Sequence, residues 1–266
     1  MTKEEKIKNR KEKNLERLKN FCLMDDDFMT VCFENNIKGV ELVLRIILED
    51  SDLIVTEVKT QYFMKNLQKR SLRLDIFATN SSGKKFNIEI QRKDGGAGFK
   101  RARYHSSLID AKVLEPGENF ENLPETYVIF ITENDIFKKG LPLYHIERYV
   151  EETGEIFGDE AHIIYVNGKY RGDTPLGYLM KDFHCTNSAN MYYNELKRSM
   201  KYFKETKEGT DKMSAIMEEL RAEGKAESLL QSVEQIMKNL SVDLAEACRI
   251  LGISLEDYEK AKELCE

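Results

Sequence analysis

Leu72-Arg73-Leu74-Asp75-Ile76-Phe77-Ala78-Thr79, the turn formers Asn80-Ser81-Ser82-Gly83, and Lys85-Phe86-Asn87-Ile88-Glu89-Ile90-Gln91 decide the fold. Two β-prone runs around a cluster of Asn, Ser and Gly read as a β-hairpin. Strand side chains alternate between faces. Leu72, Leu74, Ile76 and Ala78 therefore share one face with Phe86, Ile88 and Ile90. Arg73, Asp75 and Thr79 share the other with Asn87, Glu89 and Gln91, and Phe77 is the apolar exception. If the hairpin is symmetric about Ser82, Asp75 faces Glu89. Opposed residues have Cβ atoms about 4.5–5.5 Å apart. Two carboxylates so close repel each other unless a cation or a proton bridges them. Their hard oxygens suit Mg²⁺ or Mn²⁺. A second reading stays open, in which the polar face is wet and Arg73 and Lys85 neutralise the acids.

Outward from the hairpin, Asp52 to Phe63 reads as a strand and Phe99 to Val113 as a helix, broken by Glu115-Pro116-Gly117. Thr126 to Thr132 is a continuous apolar run of high β-propensity, as expected of a central strand covered on both sides. Ala161 to Val166 is a further strand. Upstream, Asp25, Asp26 and Asp27 suit a helix N-terminus, and Val40 to Leu48 reads as a largely buried helix. The order helix, three strands, helix, strand predicts an α/β fold, a mixed sheet flanked by helices. From about Met191 the chain is helical and charged, with a weak point predicted at Gly224. Ser241 and Ser254 are candidate N-caps and Gly252 a helix stop, giving a terminal helix-turn-helix-like pair. Three parts are expected: a charged N-terminal arm (1–20), an α/β domain (21–205) and a helical C-terminal extension (206–266).

Composition narrows the function. No apolar run approaches the ~18 residues of a membrane span, and the charged N-terminus lacks a signal-peptide core, so a cytoplasmic protein is expected. The 5 scattered cysteines show no CxxC spacing, which points to reduced thiols. The formal net charge of −6 hides a segregation: Gln61 to Lys112 holds twelve Lys/Arg against four Asp/Glu. Such a basic segment can meet a phosphate backbone.

The hairpin residues resemble the core motif of the PD-(D/E)XK nuclease superfamily, and more narrowly its transposase-associated branch, the recombination-promoting (Rpn-type) nucleases. The resemblance extends to Arg101-Ala102-Arg103-Tyr104-His105-Ser106-Ser107, to Leu123 through Thr132, and to His162 through Gly168; it covers roughly residues 25 to 203. It implies a restriction-endonuclease-like sheet and a Mg²⁺ (or Mn²⁺) ion held by Asp75 and Glu89. It implies a DNA substrate, phosphodiester hydrolysis, and a role with a mobile element or in recombination. Gln91 stands where the superfamily usually has Lys, and a neutral amide can orient water but cannot offset charge. Leu74 stands where Pro is usual.

Relatives often add an acid from the first core helix. Glu41, alone among apolar neighbours, is the candidate, with an i, i+4 pair to Arg45 as the alternative. Arg73, Arg92, Lys93, Arg101, Arg103, Tyr104 and His105 are candidate DNA contacts, Arg101 and His105 sharing one helical face. His145, His162 and His184 lack mutual spacing and read as structural. The last helix carries Glu256, Asp257, Glu259 and Glu263, which oppose a DNA groove. The C-terminal helices, with their apolar stripe, therefore suit a partner or a homodimer seam. A non-cleaving nucleic-acid-binding or assembly protein that keeps the fold is the alternative function.

Overall fold

The structure, a computed structural model, describes residues 3–65, 71–92 and 96–265. The chain divides into two compact units, residues 19–202 and residues 1–18 with 203–266. In this division α1 (Lys3–Lys19) groups with the C-terminal helices.

In the larger unit, α2 (Asp26–Phe33) and α3 (Ile37–Leu48) precede β1 (Val55–Met64), β2 (Leu72–Asn80) and β3 (Lys85–Gln91). Then come α4 (Phe99–Val113), β4 (Thr126–Thr132), β5 (Leu143–Ile146), β6 (Ala161–Asn167), α5 (Pro175–His184) and, as far as Tyr202, α6 (Asn194–Glu205). Among the described residues the strands form one six-stranded sheet in the order β1-β2-β3-β4-β6-β5. β1, β2 and β3 are antiparallel, β3, β4 and β6 are parallel, and β5 is an antiparallel edge. This is the mixed, helix-flanked sheet that the pattern predicts, consistent with the restriction-endonuclease type that the resemblance implies.

The hairpin register is the symmetric one. Ile76, Phe77, Ala78 and Thr79 pair with Ile88, Asn87, Phe86 and Lys85. The turn is locked by Asn80, whose Oδ1 accepts from the Ser82 and Lys84 amides. Ile76, Ile88, Ile129 and Ile164 lie side by side across four strands and are all buried. β4 is covered on both faces: Val128 through Thr132 are buried. α4 packs on β4 and β6, while α2 and α3 pack on β1 and β2.

Two elements escape the sequence pattern. β5 is a four-residue edge with no apolar alternation. α5 begins where Thr174 caps the Gly177 amide (3.1 Å) and Pro175 takes the first turn, a start signal that the sequence reading did not use.

In the smaller unit, α1 lies along α7 (Lys207–Leu240), joined by Lys11–Asp211 (2.6 Å), Arg10–Glu218 (3.2 Å) and Asn14–Glu218 (2.8 Å). α7 runs unbroken through Gly224, contrary to the predicted weak point. One glycine costs about 1 kcal/mol, too little to interrupt a helix held by packing. Ser241 ends α7 in a left-handed conformation rather than starting a helix. Asp243 caps α8 (Leu244–Leu251) instead. Gly252 stops α8 at φ +68, and Ser254 with Asp257 forms a reciprocal cap for α9 (Leu255–Cys265). The stripe proposed for a dimer seam is in part used within the chain, where Val233 closes a small core with Ala247 and Cys248.

Candidate metal centre at the open end of the hairpin

The β2–β3 ladder stops at Ile76–Ile88, one residue short of Asp75 and Glu89. Beyond that point side chains replace backbone partners. Ile90 N–H donates to Asp75 Oδ2 (2.8 Å), and Asp75 N–H donates to Glu89 Oε1 (3.3 Å). The two carboxylates thus stitch the strands together where the backbones part. β3 stays anchored on its other side, its pairing with β4 running through to Gln91–Thr132.

The polar face is not wet. α4 covers it, and Glu89, Asn87 and His105 are fully buried, with Asp75 at 9% exposure. Arg73 points to solvent instead of neutralising the acids. The cation at the pair is Arg101, whose guanidinium lies 3.0 Å from Glu89 Oε2. Arg101 also donates to the Gly96 carbonyl (2.9 Å) and to His105 Nε2 (3.2 Å). On the other side of the ring, His105 Nδ1 lies 3.0 Å from Asn87 Nδ2 and 3.6 Å from Glu89 Oε1. Among the described residues, Asn87 Oδ1 is the one buried side-chain polar atom without a partner.

These surroundings set the charges. Burial, then the repulsion of Glu89, pushes the Asp75 carboxyl up to about 8. Burial also raises Glu89, against the pull of Arg101. Burial, then the Arg101 charge, drives His105 down to about 4. Among the described residues two buried acids share one guanidinium, so the full ionised pair is one positive charge short there.

The other candidate residues fall into separate groups. Gln91 is half-buried, with its amide lying over Gly96: a Cβ there would meet Gln91 Oε1 at 1.8 Å. His105 is buried and does not reach solvent, so its place is behind Arg101 rather than against a phosphate. Arg92 is ion-paired with Asp25 and lies 3.6 Å from Glu133. Arg103 is exposed, Tyr104 is half-buried, and Lys93 lies outside the described residues. Glu41 follows its alternative: Oε1 pairs with Arg45 (3.0 Å) and Oε2 accepts from the Val55 amide (3.0 Å), bracing α3 to β1. The acid that acts on the pair from a helix is Asp26, whose charge raises both Asp75 and Glu89. The Asp25–Asp27 run signalled it, though the sequence reading took the run only as a helix start. Among the described residues no three His, Cys, Asp or Glu side chains converge as a metal cage.

The donor set fits a hard divalent ion. It offers two carboxylates on adjacent strands, raised by burial and mutual repulsion, with Asp75 Oδ1 free of any protein donor among the described residues. A cation there would relieve the repulsion that the fold otherwise leaves.

Comparison with protein families matches residues 34–172 to the PD-(D/E)XK nuclease family transposase model. Comparisons with curated proteins and with solved structures found no match. No described helix is long and apolar enough to cross a membrane.

Proposed function

We propose that this chain, which belongs to the PD-(D/E)XK nuclease family of transposases, is a metal-dependent DNA endonuclease serving a mobile element or recombination. The observation that carries this reading is the buried Asp75–Glu89 pair, which lacks one positive charge. Asp75 and Glu89 would hold a Mg²⁺ or Mn²⁺ ion, which when bound supplies Lewis acidity toward water and phosphate. In the net reaction water adds at phosphorus and one P–O ester bond breaks, leaving a phosphate end and a hydroxyl end.

Each neighbouring residue has a task it can perform from its position. The Gln91 amide orients water through neutral hydrogen bonds. Arg101 fixes the Glu89 carboxylate and offers planar N–H donors suited to phosphate oxygens. His105 stays neutral near pH 7 and holds the Arg101 side chain in place. Exposed Arg73 and Arg103 suit backbone contact that positions DNA without reading its sequence. Arg92 contributes less, because Asp25 offsets its charge.

The test is cleavage of plasmid DNA in Mg²⁺ or Mn²⁺ by wild type and by Asp75→Ala. Equal cutting by both removes this site from the reaction. A second reading, a non-cleaving binding or assembly protein, is favoured by Gln91 in place of Lys and by the guanidinium already seated on Glu89. Calorimetric titration with Mn²⁺ separates the two: intact DNA binding without metal binding at the pair supports the second.

A further inference from the structure

The three parallel strands end in register at Gln91, Thr132 and Asn167. Open α/β sheets bind ligands beyond the carboxyl ends of such strands. Beyond these ends lies a cleft of about 800 Å³ whose lining includes Phe99, Asn134, Ile136, Lys138 and Lys169. The metal-centre residues Asp75, Glu89 and His105 are not part of that lining. The cleft joins the proposed centre through α4, where Phe99 precedes Arg101 by two residues.

We infer that this cleft is a subsite for one unstacked nucleotide of the strand that the centre cuts. The inference rests on the nuclease reading above and names what that site holds beside the reacting phosphate. Phe99 is 61% exposed, yet its ring is fixed, stacked on Phe137 at 5.4 Å and set edge-on to Tyr165 at 5.8 Å. The backbone beneath it is tied too, since the Tyr165 hydroxyl donates to the Ala97 carbonyl (3.1 Å). An immobile, exposed ring in a cleft is a platform for a base, because every base has a π-face. A base inside an intact duplex is already stacked on both sides, so the platform suits an unpaired one.

The charge of the cleft matches. Lys138 and Lys169 have no carboxylate partner among the described residues. The neighbouring acid, Asp135, is consumed within its own loop: it accepts from the Phe137 amide (3.1 Å), the Gly140 amide (2.7 Å) and the Tyr144 hydroxyl (2.9 Å). The loop of Lys169 is held as closely. Gly168 donates to the Thr132 carbonyl (2.8 Å), and a Cβ at Gly168 would meet that oxygen at 2.3 Å. The two lysines extend from the loops that follow β4 and β6 and line the same cleft as the ring, where the phosphates of a stacked nucleotide would pass.

The experiment measures fluorescence anisotropy of a labelled single-stranded oligodeoxynucleotide of about 12 nucleotides, and of the matching duplex, against the full-length protein in chelator. Phe99→Ala is expected to weaken single-strand binding about tenfold, and Phe99→Tyr to keep it within about twofold. Lys138→Gln with Lys169→Gln is expected to flatten the dependence of log affinity on log salt by about 0.7 per lysine. Single-strand binding unchanged in Phe99→Ala and in the lysine pair overturns the subsite and leaves the nuclease reading intact. Tight binding of duplex with none of single strand also overturns it. If the variants behave as expected while Asp75→Ala still cuts like wild type, the subsite stands and the placement of the metal centre fails. The lysine pair keeps the inference testable should Phe99→Ala fold poorly.

Discussion

The parallel strands carry a charged cluster at each end, and the two clusters are built on opposite terms. At the amino ends, Glu125 meets Lys84 (2.5 Å), His162 (3.2 Å) and the Tyr127 hydroxyl, and His162 also meets Glu147 (2.7 Å). At the carboxyl end of β3, Arg101 is the one cation beside Asp75 and Glu89 among the described residues. Burial disfavours ionisation in both places, but hydrogen bonds from Lys84 and Tyr127 outweigh it and hold Glu125 below the ordinary carboxylate range. At the other end burial and mutual repulsion win and push the Asp75 carboxyl up to about 8. A cluster that satisfies its own charges is explained by the fold. A buried cluster that lacks one charge calls for something the described residues do not supply.

The largest expected effect comes from removing the frustration. Asp75→Asn should lower metal-dependent cleavage by about a thousandfold or more, yet leave the metal-free fold more stable near neutral pH. Between the ordinary carboxylate range and about 8, folded wild type holds a proton on Asp75 that the unfolded chain has released. Stability therefore declines as pH rises through that window, by up to about 1.4 kcal/mol per unit. Denaturant titrations in chelator should show this slope in wild type and its loss in Asp75→Asn. A wild-type profile that is flat or rises over the same window would sink the description of this end as one charge short.

Next in size is Arg101→Met, which strips the pair of its cation. Breaking a fully buried ion pair costs about 3–5 kcal/mol. Arg101 is 40% exposed beside a Glu89 that is not exposed at all, so about 2 kcal/mol is expected by denaturation in chelator. Added Mn²⁺ should recover part of the loss. A variant as stable as wild type would mean that Glu89 is already protonated despite Arg101, so that no ion pair is lost.

A smaller and more local effect is expected at Gly96, which makes room for the Gln91 amide. A methyl group there displaces the far end of a flexible side chain, not backbone. Gly96→Ala should slow cleavage about tenfold by moving the amide proposed to orient water, with unfolding stability changed by less than about 0.5 kcal/mol. Equal losses of activity and stability would make Gln91 a packing residue.

Much of this contrast could be read before any coordinates. The register was legible because Asn80 to Gly83 is a strong turn and alternation has a strict period of two. What alternation does not tell is whether a polar face is covered. α4 turns polar His105 and Ser106 inward together with Ala102, Leu108 and Ile109, so its buried side mixes polar and apolar residues and gave no sign that it roofs the acids. Glu41 attracted notice as a lone acid among apolar residues, but the Arg45 side chain four residues on and the Val55 amide were enough to satisfy it. Asp26 reaches the centre only through the folding of α2 toward the sheet, which no local pattern encodes. α7 was misread at Gly224 because propensity is local and packing is not.

The smallest effect belongs to the compensated end and tests the contrast from the other side. Lys84→Met removes one donor from Glu125, but His162 and Tyr127 remain in contact with it. Lys84 is 38% exposed and Glu125 21%, so the loss should not exceed about 1 kcal/mol, with cleavage unchanged. The pH signature should also run the opposite way to that of Asp75. Glu125 ionises below its ordinary range, so its contribution is complete at neutral pH and fades on acidification through that lowered value. In Lys84→Met this acid-side decline should begin at a higher pH, as seen in paired denaturant titrations. If Lys84→Met instead costs as much as Arg101→Met, the amino end is no better compensated than the carboxyl end. Charge deficit would then cease to single out the Asp75–Glu89 pair as the place where the reaction happens.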